Sequence, residues 1–129
     1  MKSITIDSKL ENKGHYVPGV ISNGMLYISG QLPVHHETGA PLADNITQQT
    51  LDALHNVELV LAAAGLKKEN VIMCHVYIPN VEYWDEVNAA YADFFGISAI
   101  ASISTNAPPC SSRLGTITLA GLWIPKKSA

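Results

Sequence analysis

The chain has 129 residues, the length of one ordinary domain, and we expect residues 1–129 to fold as a single unit. Charged residues make up only 15% of the chain, so a monomer would expose much apolar surface and we expect an oligomer. The net charge of −3 offers no basic surface to nucleic acid, and no apolar run is long enough for a membrane span or a signal peptide. Two cysteines without paired spacing, Cys74 and Cys110, indicate a reduced, cytoplasmic protein.

The first third of the chain predicts three short strands, at residues 3–6, 17–22 and 25–31, from its alternating or clustered apolar residues. Asn23 and Gly24 are a strong hairpin signal between the second and third of them. Residues 34–42 contain proline and glycine and are predicted to form a loop.

Two amphipathic helices follow. Asp44 or Asn45 caps the first, Gly65 ends it, and its apolar stripe is Leu51, Leu54, Val57, Leu61 and Ala64. Asn80 caps the second and Gly96 ends it, with a predicted buried stripe of Trp84, Val87, Tyr91 and Phe94 or Phe95.

The remaining strands are predicted at residues 71–78, 100–106 and 116–124, with residues 108–115 connecting the last two. The element order is therefore β-β-β-α-β-α-β-β. This order predicts an α+β fold in which two helices cover one face of a mixed sheet. The opposite face would stay exposed in a monomer, which again favours an oligomer.

Five segments of the sequence are informative when they are taken together and in their order along the chain. They are Gly14-x-Tyr16, SGQLPV at residues 29–34, the Thr/Gln-rich start of the first helix, LAAAGL at residues 61–66 and VNAAYxxFF at residues 87–95. Together they resemble the Rid (YjgF-type) family of small enamine and imine deaminases. The resemblance implies a chorismate-mutase-like fold, a homotrimer that forms a barrel, and small-molecule clefts between subunits.

The resemblance also assigns binding residues. Tyr16 would hydrogen-bond a ligand or water, or pack at a strand start. Ser29, Gly30 and Gln31 would present hydroxyl and backbone donors to a carboxylate or carbonyl, unless Gly30 only bends the chain. Asn88 would reach the cleft or a subunit interface, or bond to nearby backbone instead.

The chain departs from the family at the catalytic groups. The family's deaminases hold the substrate carboxylate with an arginine, which falls here at Ser102 or, in a second alignment, at Pro108; their water-positioning glutamate falls at Ala120. Arg113 is the only arginine and Asp93 is the last carboxylate, so no shift in register restores the glutamate. Any guanidinium clamp must come from Arg113, a role that lysine fills poorly.

Several other side chains are candidates for functional groups. Cys110 lies near Arg113, which would favour a reactive thiol, but an inert, partly buried thiol is the simpler interpretation. None of the five histidines forms a His-x-x-x-His pair on a helix, so we expect no metal site and no cofactor. Ala120, flanked by Leu119, Leu122 and Trp123, predicts an apolar end of the pocket and a less charged ligand.

These observations leave three hypotheses. The first is an enzyme that hydrolyses an enamine or imine with release of ammonia, on a substrate other than the usual 2-imino acids; Tyr16 or Ser102 would hold water and Arg113 would supply positive charge. The second is a non-catalytic trimer that binds a metabolite and acts in regulation. The third, a ribonuclease, is disfavoured by the net charge of −3.

Overall fold

A computed structural model describes residues 1–11, 16–71, 73–78 and 80–96, together with the backbone of residues 100–104 and 124–125. The elements follow the predicted order and are β1 (Lys2–Ile4), β2 (Gly19–Ser22), β3 (Met25–Ile28), α1 (Ile46–Ala63), β4 (Met73–Tyr77), α2 (Trp84–Phe95), β5 (Ile100–Ser104) and β6 (Ile124–Pro125).

Strands β1, β2, β3 and β6 pair in that order as an antiparallel sheet. The hairpin between β2 and β3 turns at Asn23 and Gly24, whose φ angles are 52° and 76°. Two successive positive φ angles are the requirement of a type I′ turn, whose twist matches that of the flanking strands. The hairpin prediction is therefore confirmed.

Strands β4 and β5 pair in parallel, with His75 opposite Ser102. The chain joins them through α2. Parallel strands need such a crossover connection, because a tight hairpin turn makes the next strand run antiparallel. The architecture is α+β, with an antiparallel sheet, a parallel pair and two helices.

Helix α1 begins and ends where the sequence indicates. The Asn45 side chain accepts a hydrogen bond from the Gln48 N–H at 2.8 Å, which satisfies one of the free donors at the helix start. Gly65, with φ of 75°, follows the last turn, and the Leu66 N–H bonds to the Leu61 carbonyl at 2.8 Å. This pair of features is a Schellman motif, which needs a residue that tolerates positive φ.

Helix α2 differs from the prediction at its start. Asn80 caps a short 3₁₀ turn, Val81–Tyr83, by accepting the Glu82 N–H at 2.9 Å, and α2 itself begins at Trp84. The prediction that Trp84 is buried is wrong for this chain, since the residue is 39% exposed. It lies in the first turn at the margin of the core, where Tyr83 packs against the buried cluster instead.

The core forms where α1 and α2 meet each other and the strands. Its buried members include Leu26 and Ile28 of β3, Leu54 and Val57 of α1, and Val87 of α2. Neither helix in the described part of the chain combines the length and the apolar character that crossing a membrane requires.

Candidate ligand pocket

A cavity of about 460 Å³ lies between the N-terminal segment and the turn that follows β3. This volume is within the range of small-molecule sites, which is about 300–1,000 Å³. Most of the lining is apolar or glycine, including Gly30. The polar lining residues are Thr5, Ser8, Glu11, Tyr16, Gln31 and His36.

The turn after β3 forms one wall of this pocket. The Ser29 N–H and hydroxyl both donate to the Pro18 carbonyl, at 3.0 and 3.2 Å. Gln31 is buried, and its side-chain amide donates to the Ser29 carbonyl at 3.2 Å. Ser29 therefore stabilises this wall through its bonds to Pro18 without lining the cavity, whereas Gly30 and Gln31 line it.

Tyr16 lines the same cavity from the segment that leads into β2. Its side chain is 55% exposed, so the phenol stands at the mouth of the pocket rather than in the core. The structure thus brings Tyr16 to the same cavity as Gly30 and Gln31, although Tyr16 lies fourteen positions before Gly30 in sequence. The polar residues of the lining can offer hydrogen-bonding groups to a small ligand, and the other lining residues are apolar or glycine.

His36 and Ser8 form a hydrogen-bonded pair in the pocket lining, with 2.7 Å between the His36 Nδ1 and the Ser8 Oγ. Burial, followed by the charge of His55, lowers the pKa of His36 from its ordinary value. Since a lowered imidazole pKa favours the neutral ring, His36 is predominantly uncharged at neutral pH. Glu11 is then the ionised side chain among the described residues that line the cavity.

The loop that carries His36 is bound to α1 by side chains. Asn56 is buried and donates to the Leu32 and Val34 carbonyls, both at 2.8 Å. Because Leu32 and Val34 line the pocket, Asn56 fixes the position of its wall.

Two contacts between a histidine ring and a carboxylate bind the same loop to α1 further along. His35 Nε2 lies 2.8 Å from Asp52 Oδ2, and the hydrogen bond to this carboxylate raises the pKa of His35. His55 Nε2 lies 2.9 Å from Glu37 Oε1. These four side chains also line a second cavity of about 130 Å³. Within the described ranges, no three His, Cys, Asp or Glu side chains are grouped to hold a metal ion.

Among the remaining predicted site residues whose side chains the structure describes, Asn88 does not line the larger cavity. Asn88 lies exposed on α2, and Ser102 lies on β5. Arg113, Cys110 and Ala120 lie outside the described residues.

Sequence reasoning missed four residues around the pocket, Ser8, Glu11, His36 and Asn56. The double histidine at positions 35 and 36, directly after the SGQLPV segment, was the available signal. Nothing in the helical periodicity of α1 distinguished Asn56 from a surface asparagine, because its partners are carbonyls more than twenty positions away.

Comparisons with known proteins agree with the architecture. The model of the family described as Endoribonuclease L-PSP matches residues 6–112. A RutC family protein of Aquifex aeolicus is 38% identical over 82 residues, and the match spans 64% of this chain and 65% of the relative. The 2-iminobutanoate/2-iminopropanoate deaminase of Salmonella typhimurium is 35% identical over 94 residues, or 73% of each chain.

A solved structure extends the likeness to nearly the whole fold. The crystal structure of the YjgF gene product from Escherichia coli superposes with a TM-score of 0.82 at 26% identity, covering 96% of this chain and 98% of that one. The family model covers most of the sequence, and the order of strands and helices is the one expected for this group. The chain therefore belongs to the Endoribonuclease L-PSP family, which includes the Rid (YjgF) and RutC proteins.

Proposed function

We propose that this protein hydrolyses an imine or enamine with release of ammonia, and that its substrate is neutral or cationic rather than a 2-imino acid. The observation that carries the proposal is the composition of the larger cavity. Its described lining contains Tyr16, Gly30 and Gln31 but neither lysine nor arginine, and its ionised group is the carboxylate of Glu11.

Charge is the basis for the substrate class. A carboxylate substrate needs a cationic or bidentate partner, which guanidinium groups supply best. Glu11 would instead repel a carboxylate and attract the positive charge of a protonated imine.

The pocket offers the groups that such a hydrolysis needs. An iminium ion and water give a carbonyl compound and ammonium, and the transition state places charge on the attacking water and the departing nitrogen. Hydrogen-bonding groups at Tyr16 and Gln31 can orient water and substrate. The apolar remainder of the lining strengthens these interactions by lowering the local polarity.

The test compares two kinds of imine. A flavin-dependent amine oxidase generates the neutral aldimines of ethylamine and benzylamine in situ, and a dehydratase generates 2-iminopropanoate; ammonia release is followed in both. We expect acceleration above spontaneous hydrolysis with the aldimines and little with 2-iminopropanoate. Acceleration of 2-iminopropanoate that is lost in Arg113→Ala would refute the substrate assignment and show that Arg113 binds the carboxylate.

A non-catalytic, ligand-binding trimer is the second candidate, and the absence of any Asp or Glu after Asp93 favours it. It predicts that no imine is hydrolysed faster than in buffer, while a carbonyl compound such as benzaldehyde still binds. Isothermal titration with benzaldehyde, run beside the ammonia assay, separates the two candidates.

We also propose that the protein is a homotrimer with the pocket completed between subunits. Support comes from the sheet face that points away from the helices, where Val20 of β2 pairs with Tyr27 of β3, and Tyr27 is 36% exposed. A partner subunit would bury these side chains. Light scattering coupled to size-exclusion chromatography tests this, and a monomeric mass would contradict it.

A further inference from the structure

We propose that His36 is the acid–base catalyst of the larger pocket, and that Ser8 positions its ring. This inference rests on the proposed function. It starts from placement: His36 lines the same cavity as Tyr16, Gly30 and Gln31, and it belongs to the loop that α1 holds in place. Imidazole is the side chain whose ordinary pKa lies closest to neutrality, so it can take up and return a proton at physiological pH.

The backbone around His36 is fixed on both sides. The Lys9 N–H donates to the His36 carbonyl at 2.8 Å, and the Gly39 N–H donates to the His35 carbonyl at 2.8 Å. Asn56 holds the carbonyl of Val34, two residues earlier. A ring carried by so restrained a segment loses little freedom when it meets a substrate, which is what a preorganised catalytic group requires.

Ser8 can select which ring nitrogen is available to a substrate. Its Oγ accepts the Leu10 N–H at 3.1 Å and lies 2.7 Å from His36 Nδ1. A hydroxyl oxygen has two lone pairs, so it can accept from Leu10 and from an Nδ1–H together. In this tautomer Nε2 carries a free lone pair, and that lone pair is the base.

The charged groups around His36 support a neutral resting ring. His55 faces it from α1 and lowers its pKa through charge, second to burial. Glu11 shares the pocket lining from the N-terminal segment, while Asp52 and Glu37 are paired with His35 and His55. The carboxylates on α1 and the loop are therefore engaged elsewhere, and the imidazole remains poised to accept a proton.

The proposed reaction balances with water as the only co-reactant. As the oxygen of water bonds to the iminium carbon, Nε2 takes a proton from that water, and the C=N electron pair moves to nitrogen to give a neutral carbinolamine. The imidazolium then returns the proton to this nitrogen. The C–N bond breaks with its electron pair on nitrogen, the hydroxyl becomes the carbonyl, and its proton leaves with ammonia as ammonium.

Kinetics of paired variants test the assignment. His36→Gln keeps a polar side chain beside Ser8 but cannot titrate, and we expect kcat for benzaldimine to fall about 10²–10⁴-fold. The acidic limb of the pH–rate profile should disappear with it, while KM changes little. His35→Gln is the matched control, because that ring faces Asp52 rather than the larger cavity, and its acidic limb should remain.

Ser8→Ala and ring nitrogen NMR test the positioning role. In the wild type, ¹⁵N spectra should show the Nδ1–H tautomer of His36, and Ser8→Ala should mix the tautomers and lower kcat without removing the acidic limb. A wild type that is active, with a His36→Gln variant of equal kcat, would overturn the inference alone. A wild type that accelerates no imine would instead overturn the proposed function and this role together.

Discussion

Replacing Asn56 by aspartate should destabilise the protein strongly and in a pH-dependent way. Asn56 is 1% exposed, and its amide donates to two carbonyls, those of Leu32 and Val34, at 2.8 Å each. Asn56→Asp exchanges the donor nitrogen for oxygen with almost no change in volume. Two buried carbonyl oxygens then face a carboxyl group that can donate at most one hydrogen bond, and only when it is protonated.

The magnitude follows from these contacts. Loss of two such bonds, with a carbonyl left unsatisfied in each case, costs about 2–4 kcal/mol in the free energy of unfolding. An ionised carboxylate beside the carbonyls adds to that cost, because burial and repulsion raise the pKa of the new carboxyl above its value in the unfolded chain. Each unit of that rise costs about 1.4 kcal/mol at a pH above both pKa values.

The sign of the pH effect is fixed by linkage. A carboxyl whose pKa is higher in the folded state is tolerated below its unfolded pKa of about 3.9, and stability is lost as the pH rises through the folded pKa. Asn56→Asp should therefore be closer to the wild type at pH 4.5 than at pH 7.5. Urea unfolding at one protein concentration measures both differences, since association also affects apparent stability.

Asn23→Asp is the control for this experiment. It makes the same chemical change at an exposed hairpin position with φ of 52°, where aspartate is also tolerated, and should shift stability by less than about 0.5 kcal/mol. If Asn56→Asp were no more destabilising than Asn23→Asp at pH 7.5, the two bonds from Asn56 would not hold the pocket wall as argued.

Three further changes test other parts of the structure. Asp52→Asn should cost about 0.5–1 kcal/mol at pH 5.5 and less at pH 8.5, because the raised pKa of His35 makes the pair stabilising only while the ring is protonated; equal losses at both pH values would contradict this. Gly19→Ala places a Cβ 3.0 Å from the Val60 Cγ1 and should cost about 1–3 kcal/mol in thermal or urea unfolding, whereas an unchanged midpoint would mean that the core yields freely. Burial raises the pKa of Cys74 to about 12, so native protein at pH 8 should resist alkylation at this residue, and peptide mass spectrometry that finds rapid labelling would show an open core.

Local signals in the sequence located most elements because they act within a few residues. The cap at Asn45, the type I′ turn at Asn23 and Gly24, and the glycines that end both helices depend on backbone conformation and nearby donors. Because these signals act over only a few residues, they do not predict how the elements pack. Trp84 carried the right helical spacing for burial, yet its exposure depends on where the core ends, and that is a property of the packed helices and strands.

The same distinction between local signals and tertiary packing applies to the candidate site. Sequence segments in family order predict Tyr16, Gly30 and Gln31 as ligand-binding residues; the three line one cavity, and their binding role stays a prediction. Composition alone also established that a single arginine and no carboxylate after Asp93 are available to the chemistry. These are facts of the chain, independent of how it folds.

Only the tertiary structure could place His36 beside Ser8 and connect Asn56 to the pocket wall. Those contacts join residues separated by twenty-two or more positions, so no local preference or periodicity encodes them. The sequence by itself determined the order of elements, the family and the shortage of charged groups. Packing of the loop on α1 decided which polar side chains meet in the cavity, because a hydrogen bond requires an approach within about 3 Å, and the fold alone sets such distances.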